Sequence, residues 1–228
     1  MPESNPPGGV QNPPPGGVQN PPGGGVTVNG DMLDEHRRTR VPVFRIYEPS
    51  APCAVLGAAG KPEQDLLLEN LRADGVPWMY RRGGGGTVVL GPGQVVLALV
   101  TEVDSPFRNK EYAAEINSWI VEALRRLSVS GVHAEGISDL AIGEKKIVGT
   151  SIYRTRLVLF YQASLLVCND ISLFTRYLAM PAKVPEYRRG RAHEEFCTTL
   201  AREGYTGSVT AVEEALRDVV EERLPVLR

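Results

Sequence analysis

The spacing of apolar residues changes along the chain from one predicted element to the next. Residues 95–100 form a continuous apolar run, which is typical of a strand buried on both faces. Residues 110–127 carry apolar side chains three and four positions apart, and this spacing predicts an amphipathic helix. Residues 43–47 alternate between apolar and polar side chains, as a half-buried strand does.

Shorter patterns predict the remaining elements and the fold class. Pro62 suits the first turn of a helix, and Gly75 suits the end of the same helix. Other strands are predicted at residues 53–57, 78–80, 137–142, 146–153 and 156–168, with a hairpin turn at Gly143 and Glu144. Other helices are predicted at residues 31–38, at residues 172–180 and after a capping box at Thr210. The series predicts an α+β fold, a mixed β-sheet with helices on one face.

Residues 1–30 differ from the rest of the chain in composition. They repeat a short unit of asparagine, prolines, glycines, valine and glutamine, and they offer almost nothing apolar to bury. We therefore expect a disordered Pro/Gly-rich tail over residues 1–30 and one folded domain over residues 31–228.

Composition and charge exclude several classes of protein. The chain has 228 residues and a formal net charge of −2, whereas non-specific nucleic-acid binding needs a basic face. No apolar run approaches the roughly 20 residues that span a membrane, and the start of the chain lacks the pattern of a signal peptide. Three scattered cysteines and three histidines favour a reducing cytoplasm and no metal site built from histidine.

A glycine-rich stretch after the predicted strand 78–80 is the first candidate site. Two arginines offer forked donors for carboxylate or phosphate, and backbone N–H groups of glycines can approach an anion closely. The alternative is a glycine-rich hairpin with two surface arginines, because the stretch has no P-loop lysine and no following helix. The candidate binding residues are Arg81, Arg82, Gly83, Gly84, Gly85, Gly86 and Thr87, with Gln94 at the start of the buried strand.

A second candidate site surrounds the predicted hairpin at Gly143. Lys146 stands at the start of a strand, where its ammonium can stabilise charge developing on a carboxylate or phosphate oxygen. Asp139 is one hairpin away, and Gly149 and Thr150 allow close approach of a ligand and supply a hydroxyl. The alternative is a solvated hairpin with a paired lysine and aspartate, and Lys145 is the expected bystander.

These stretches together resemble the catalytic domain shared by lipoate–protein ligases, lipoyl or octanoyl transferases and biotin–protein ligases. The resemblance runs through roughly residues 31–200. Its motifs are Cys53-Ala54-Val55-Leu56-Gly57, Arg81-Arg82-Gly83-Gly84-Gly85-Gly86-Thr87, Gly91-Pro92-Gly93-Gln94, Ser138-Asp139-Leu140 and Glu144-Lys145-Lys146-Ile147-Val148-Gly149-Thr150-Ser151. The resemblance implies a class II biotin/lipoate ligase-like catalytic domain over residues 31–228, with Lys146 as its catalytic lysine.

The resemblance also implies a reaction, cofactors and partners. A ligase of this kind activates lipoate or octanoate with Mg²⁺ and ATP as an acyl-adenylate, held by the arginines and the loop amides. The acyl group then passes to a lysine of a lipoyl domain, in a 2-oxoacid dehydrogenase or in the glycine-cleavage H protein. The chain ends soon after the catalytic domain, so a complete ligase is expected to need a separate accessory subunit.

Departures from the family pattern keep other functions open. Leu90 and Gln162 stand where the family has histidines, and Gln94 stands where the ligases have asparagine. One alternative is an acyl-carrier-protein-dependent transferase with an acyl-cysteine intermediate, for which Cys197 is the best-placed thiol. Another is a non-catalytic binder of acyl groups. The basic residues 186–191 favour a solvated face over a loop that covers the site.

Overall fold

The computed structural model describes residues 27–181 and 184–227 of the chain. Its helices are α1 (Asp31–Thr39), α2 (Pro62–Asp65), α3 (Leu68–Ala73), α4 (Asn109–Arg126), α5 (Ser172–Tyr177), α6 (His193–Phe196) and α7 (Val209–Arg223), with short 3-10 turns at Glu186–Arg188 and Leu224–Val226. Its strands are β1 (Val43–Tyr47), β2 (Cys53–Leu56), β3 (Trp78–Tyr80), β4 (Val88–Leu90), β5 (Gln94–Glu102), β6 (Val132–Glu135), β7 (Asp139–Ile142), β8 (Lys145–Thr155) and β9 (Val158–Leu166).

The larger sheet is antiparallel throughout. In the described part of the chain its strand order is β1-β5-β9-β8-β7-β6, with β5 and β9 near the middle. The two long helices α4 and α7 pack on one face, where Trp119 and Val219 join alternate residues of β5 such as Leu97 and Leu99. This face buries the main apolar core, which supplies the dominant favourable term in folding.

The smaller sheet packs on the opposite face of the larger one. Its order is β3-β2-β4, with β2 parallel to β3 and antiparallel to β4. Val96 of β5 contributes to the same apolar cluster as Val55 and Leu90, so the two sheets lie face to face there. Helix α1 also packs on this face of the larger sheet, through Met32 and Leu33.

The predicted α+β class is confirmed, and most strands and helices occur where the sequence places them. The predicted helix that begins at Pro62 is interrupted, however. Leu67 donates its backbone N–H to the carbonyl of Tyr177 at 2.9 Å, and Leu66 forms a β-bridge with Leu178. Pairing with the α5 region thus outweighs the local helical pattern, and two short helices, α2 and α3, result.

Other boundaries need correction. The strand predicted at 137–142 begins at Asp139, and the sequence patterns predict neither β4 nor β6. Helix α7 is capped by the Ser208 hydroxyl, which accepts from the N–H of Ala211 at 3.0 Å, so the expected cap at Thr210 is wrong. Among the described residues, none of the helices combines the length and the apolar surface that a membrane span requires.

The boundary between the expected tail and the folded domain also differs from the prediction. Residues 1–26 of the expected tail lie outside the described residues. Residues 27–30 belong to the fold, because Val28 donates its N–H to the carbonyl of Tyr80 at 3.0 Å and the Asn29 amide donates to the hydroxyl of Tyr47 at 3.2 Å.

Candidate active site

The glycine-rich loop connects β3 to β4 in the smaller sheet. Its first residue, Arg81, is buried, with 7% of its surface exposed. Nη2 of Arg81 donates to the carbonyls of Gly84 and Gly86, both at 2.7 Å, and Nη1 donates to the carbonyl of Val55 at 3.3 Å. The guanidinium therefore holds the loop closed against β2.

Burial lowers the pKa of Arg81 to about 10, since a charged guanidinium loses hydration inside the protein. It remains protonated at neutral pH and donates to carbonyl oxygens. The sequence predicts both arginines as ligand-binding residues, whereas the structure gives Arg81 a role within the loop and leaves Arg82 exposed. Gly84, Gly85 and Gly86 are exposed as well.

The loop lies directly on β8. A Cβ atom on Gly83 would fall 1.9 Å from the hydroxyl oxygen of Ser151, so only glycine fits at that position. Gly85 has a φ of +94° and lies next to the carbonyl of Thr150. The loop backbone therefore contacts the strand that carries Lys146, and the two predicted sites are one site.

Lys146 is held by Asp139. Its Nζ lies 2.7 Å from Oδ1 of Asp139, and both side chains are partly buried. A Cβ on Gly149 would meet Nζ of Lys146 at 3.1 Å, so the ammonium lies over this glycine. Lys145 is exposed on the other side of the strand.

A β-bulge sets the direction of Lys146. Ala141 of β7 pairs with Lys146, whereas the preceding Leu140 pairs with Val148, so Ile147 is an extra residue in β8. Ile147 and Val148 are both fully buried as a result. Bulges are common beside active sites because they redirect side chains.

The backbone before Asp139 is fixed by two hydrogen bonds. The carbonyl of Ser138 accepts from the amide of Asn117 at 3.1 Å and from the hydroxyl of Thr150 at 2.9 Å. The Tyr161 hydroxyl donates in turn to Asn117 at 2.6 Å. The hydroxyl of Thr150 is thus used within the protein, and this residue helps to place Asp139.

Residues that the sequence analysis did not select complete the site. The Tyr187 hydroxyl donates to Oδ2 of Asp139 at 2.8 Å, so both carboxylate oxygens have partners. Arg188 is only 4% exposed, and its guanidinium carbon lies 4.9 Å from the centre of the Phe196 ring. The expectation of a solvated face at residues 186–191 is therefore wrong for Arg188, although three of the six residues are exposed. The polar composition of the segment gave no sign that Arg188 is buried.

Cys197 lies beside Lys146 but is not an exposed thiol. The two residues form a parallel β-bridge, and Thr198 donates its N–H to the carbonyl of Lys146 at 2.9 Å. The side chain of Cys197 is buried, and burial raises the pKa of its thiol to about 11 despite the nearby cation of Lys146. At neutral pH the group is a thiol, whereas a nucleophile in this position needs to be a thiolate.

The departures from the family pattern also have structural roles. The amide of Gln94 donates to the carbonyl of Val89 at 2.9 Å, which ties β5 to β4. Leu90 is part of the apolar cluster between the sheets. Gln162 is buried on β9, opposite Ser151 on β8, and accepts from the Asn29 amide at 3.4 Å.

These residues give the site an arrangement suited to acyl chemistry. An ammonium fixed by a carboxylate lies over a glycine, next to a loop whose exposed glycines allow close approach of a ligand backbone or an anion. Such a cation can stabilise negative charge on an acyl or phosphoryl oxygen. Thr87, the last residue of the loop, is half-buried.

Comparisons with known proteins give the same family. The family model of the lipoyl protein ligase A/B catalytic domain matches residues 29–221. An octanoyltransferase of Dechloromonas aromatica is 28% identical over 124 residues, 54% of this chain and 58% of its own length. The human mitochondrial lipoyl amidotransferase is 27% identical over 153 residues, 66% of this chain and 40% of its own length. The chain spans about half the length of these curated relatives.

A solved structure has the same fold. The bipartite lipoate protein ligase of Thermoplasma acidophilum, studied with its E2 lipoyl domain, matches with a TM-score of 0.70 at 21% identity. The match covers 82% of this chain and 73% of that one. Because the family model covers most of the sequence, including the glycine loop, Asp139 and Lys146, the chain belongs to the lipoyl protein ligase A/B catalytic domain family.

Proposed function

We propose that this chain transfers a lipoyl or octanoyl group to a lysine of a lipoyl domain, and that the acyl donor is an adenylate. The observation that carries the proposal is the ammonium of Lys146, which lies 2.7 Å from Asp139 and over Gly149, beside the glycine loop. Family membership supports the acyl group and the acceptor, and the chemistry of the site supports the donor.

The reaction would proceed in two steps. The acyl carboxylate attacks the α-phosphorus of ATP, an acyl–phosphate bond forms, and pyrophosphate leaves with the electron pair. The acceptor amine then attacks the acyl carbon, a C–N bond forms, AMP leaves with the electrons of the C–O bond, and the amine loses a proton. Mg²⁺ would accompany the nucleotide.

The protein groups have separate parts in these steps. Lys146 would neutralise charge on the acyl and phosphoryl oxygens, which is where negative charge develops. Arg81 would keep the glycine loop closed, while Arg82 and the exposed amides of Gly84, Gly85 and Gly86 would face the adenylate. Asp139, Gly149 and Thr150 would hold the lysine in place, and Thr87 and Gln94 would support the loop end.

The state of the cysteine near Lys146 favours an adenylate over an acyl-enzyme. Cys197 is buried and its thiol has a pKa of about 11, so little thiolate exists at neutral pH. An adenylate needs no protein nucleophile, because the activated acyl group passes directly to the acceptor amine.

A transferase with an acyl-cysteine intermediate is the second candidate. It is favoured by one observation, the β-bridge between Cys197 and Lys146, which brings a thiol and an ammonium together. In that case the donor would be an acyl-carrier protein, and the carrier thiol would leave as Cys197 is acylated.

The acceptor and other partners follow from the same proposal. Lipoyl domains of 2-oxoacid dehydrogenases and the glycine-cleavage H protein are the proposed acceptors, and a separate accessory subunit is the proposed partner for adenylate formation. The free cysteines of the described residues support a reducing cytoplasm as the location.

The test supplies three donors to the full chain with a purified lipoyl domain, and follows the acceptor by intact mass. The donors are lipoate with Mg²⁺-ATP, preformed lipoyl-adenylate, and octanoyl-carrier protein. We expect acyl transfer from the adenylate, unaffected by Cys197→Ser and by its control, Cys168→Ser. Transfer from the carrier protein alone, abolished by Cys197→Ser but not by Cys168→Ser, would reject the adenylate route.

A further inference from the structure

Residues 185–191, here called the strap, contact the hairpin that carries both Asp139 and Lys146. The Tyr187 hydroxyl donates to Oδ2 of Asp139 at 2.8 Å. At the turn of the hairpin, Arg191 donates to the carbonyl of Glu144 at 2.9 Å and Arg189 lies 3.0 Å from the carboxylate of the same residue. The strap therefore contacts the hairpin at Asp139 and again at the turn.

The strap is also stabilised by hydrogen bonds between its own residues and by packing against α6. Arg188 and Arg191 donate Nε–H groups to each other's carbonyls, at 2.9 and 3.1 Å. Phe196 of α6 packs against the ring of Tyr187 with centroids 5.0 Å apart, and the Arg188 guanidinium stacks on the same phenyl ring. These contacts limit the positions that the Tyr187 ring can adopt.

The turn that precedes β7 is shaped to receive this tyrosine. Gly136, in the turn between β6 and β7, has a φ of +59°, which favours glycine. A Cβ on Gly136 would come within 3.1 Å of the Tyr187 ring. Burial and the charge of Asp139 raise the pKa of Tyr187, so the group stays a neutral phenol and can donate.

These contacts of Tyr187 also limit the position of the flexible Lys146 side chain. A lysine ammonium is placed by its partners, because its four-carbon stem has many rotamers. Asp139 binds the ammonium with Oδ1, and the Tyr187 hydroxyl fixes Oδ2 of the same carboxylate. We propose that Tyr187 is a positioning residue, which fixes Asp139 and through it the ammonium of Lys146.

This inference rests on the proposed function only for its effect on turnover. Its direct test is chemical and needs no substrate. The full chain is acetylated briefly with an N-hydroxysuccinimide ester, and tandem mass spectrometry measures the modification rates of Lys146 and of the exposed neighbour Lys145. The variants are Tyr187→Phe and, as a matched control, Tyr205→Phe, which removes a hydrogen bond to the Ser208 carbonyl away from the site.

We expect Tyr187→Phe to raise the Lys146 rate relative to Lys145 by about tenfold, the lower end of the effect of losing one hydrogen bond to a charged group. Tyr205→Phe leaves the ratio unchanged. Asp139→Asn raises the ratio at least as far as Tyr187→Phe does. An unchanged ratio in Tyr187→Phe, with Asp139→Asn raised, would overturn the role of Tyr187, whatever the enzyme proves to do.

Kinetics separate positioning from simple loss of stability. Tyr187→Phe is expected to lower kcat for transfer by about tenfold with little change in KM for the acyl donor, and to add no further loss to Asp139→Asn. Losses that multiply in the double variant would mean that Tyr187 does not act through Asp139. If the wild-type chain transfers no acyl group, the proposed function fails, and the labelling ratio still decides the role of Tyr187.

Discussion

Replacing Gly149 with alanine tests whether the position of Lys146 matters. The new Cβ would lie 3.1 Å from both Cε and Nζ of Lys146. Carbon atoms in optimal contact are about 3.5–4.0 Å apart, so the lysine end must move by roughly half an ångström. That movement is a large change for the 2.7 Å contact between Nζ and Asp139.

We expect Gly149→Ala to lower turnover more than it lowers stability. A misplacement of 1 Å in a catalytic group can lower a rate by about a hundredfold, so half that displacement predicts about a tenfold fall in kcat. Because the neighbour that yields is the end of a flexible side chain, the melting temperature should change little.

The assay is acyl transfer to a lipoyl domain at saturating donor, with melting temperature measured on the same samples. Gly91→Ala is the matched control, since a Cβ there would meet only Pro52, at an ordinary contact distance of 3.7 Å, and its φ is not in the left-handed region. Wild-type kcat in Gly149→Ala, or an equal loss in Gly91→Ala, would show that the Lys146 contact does not limit turnover.

Three further predictions concern the loop, the thiols and acid stability. Arg81→Met should speed amide hydrogen exchange at Ala58, whose N–H donates to the loop carbonyl of Gly83 at 3.0 Å, because the substitution removes the bonds that hold the loop closed; unchanged exchange would contradict this role. Iodoacetamide at pH 8 should modify exposed Cys168 at least about tenfold faster than Cys197, whose thiol pKa is about 11, and the reverse order would favour the transferase. Arg176 and Tyr177 lower the pKa of Asp74 from 3.8 to about 2, so this stabilisation is complete above pH 4 and is lost as pH falls towards 2. The urea midpoint of Asp74→Asn should therefore lie below that of the wild type at pH 6 and approach it below pH 4, whereas a constant gap would be inconsistent with this.

The sequence predicts elements well where a long pattern agrees with the tertiary fold. Helix α4 has the predicted apolar face and ends within one residue of the predicted bounds, because its stripe packs on the larger sheet. The helix from Pro62 fails since pairing of Leu66 and Leu67 with the α5 region is a long-range contact. No local pattern reports such a contact.

The candidate site shows the same limit. Lys146, Asp139 and the glycine loop carry local signals, and the structure brings them together around the start of β8. Tyr187 lies 48 residues from Asp139 along the chain, in a segment with a polar, loop-like composition, and its role depends on the folded strap. Arg81 has the residue type of an anion binder, but its burial turns the guanidinium towards loop carbonyls, and burial is a property of the fold.

In the proposed reaction, the Lys146 ammonium promotes acyl transfer from an adenylate. The most direct measurement is a single-turnover reaction of preformed lipoyl-adenylate with a lipoyl domain, followed by intact mass, for Lys146→Ala and for the exposed neighbour Lys145→Ala. Reactions without enzyme correct for spontaneous acylation. Removing one stabilising group of this kind typically costs about 10²–10³ in rate, so we expect such a loss in Lys146→Ala and near wild-type transfer in Lys145→Ala. Wild-type transfer by Lys146→Ala, or equal losses in the two variants, would exclude this role of the Lys146 ammonium.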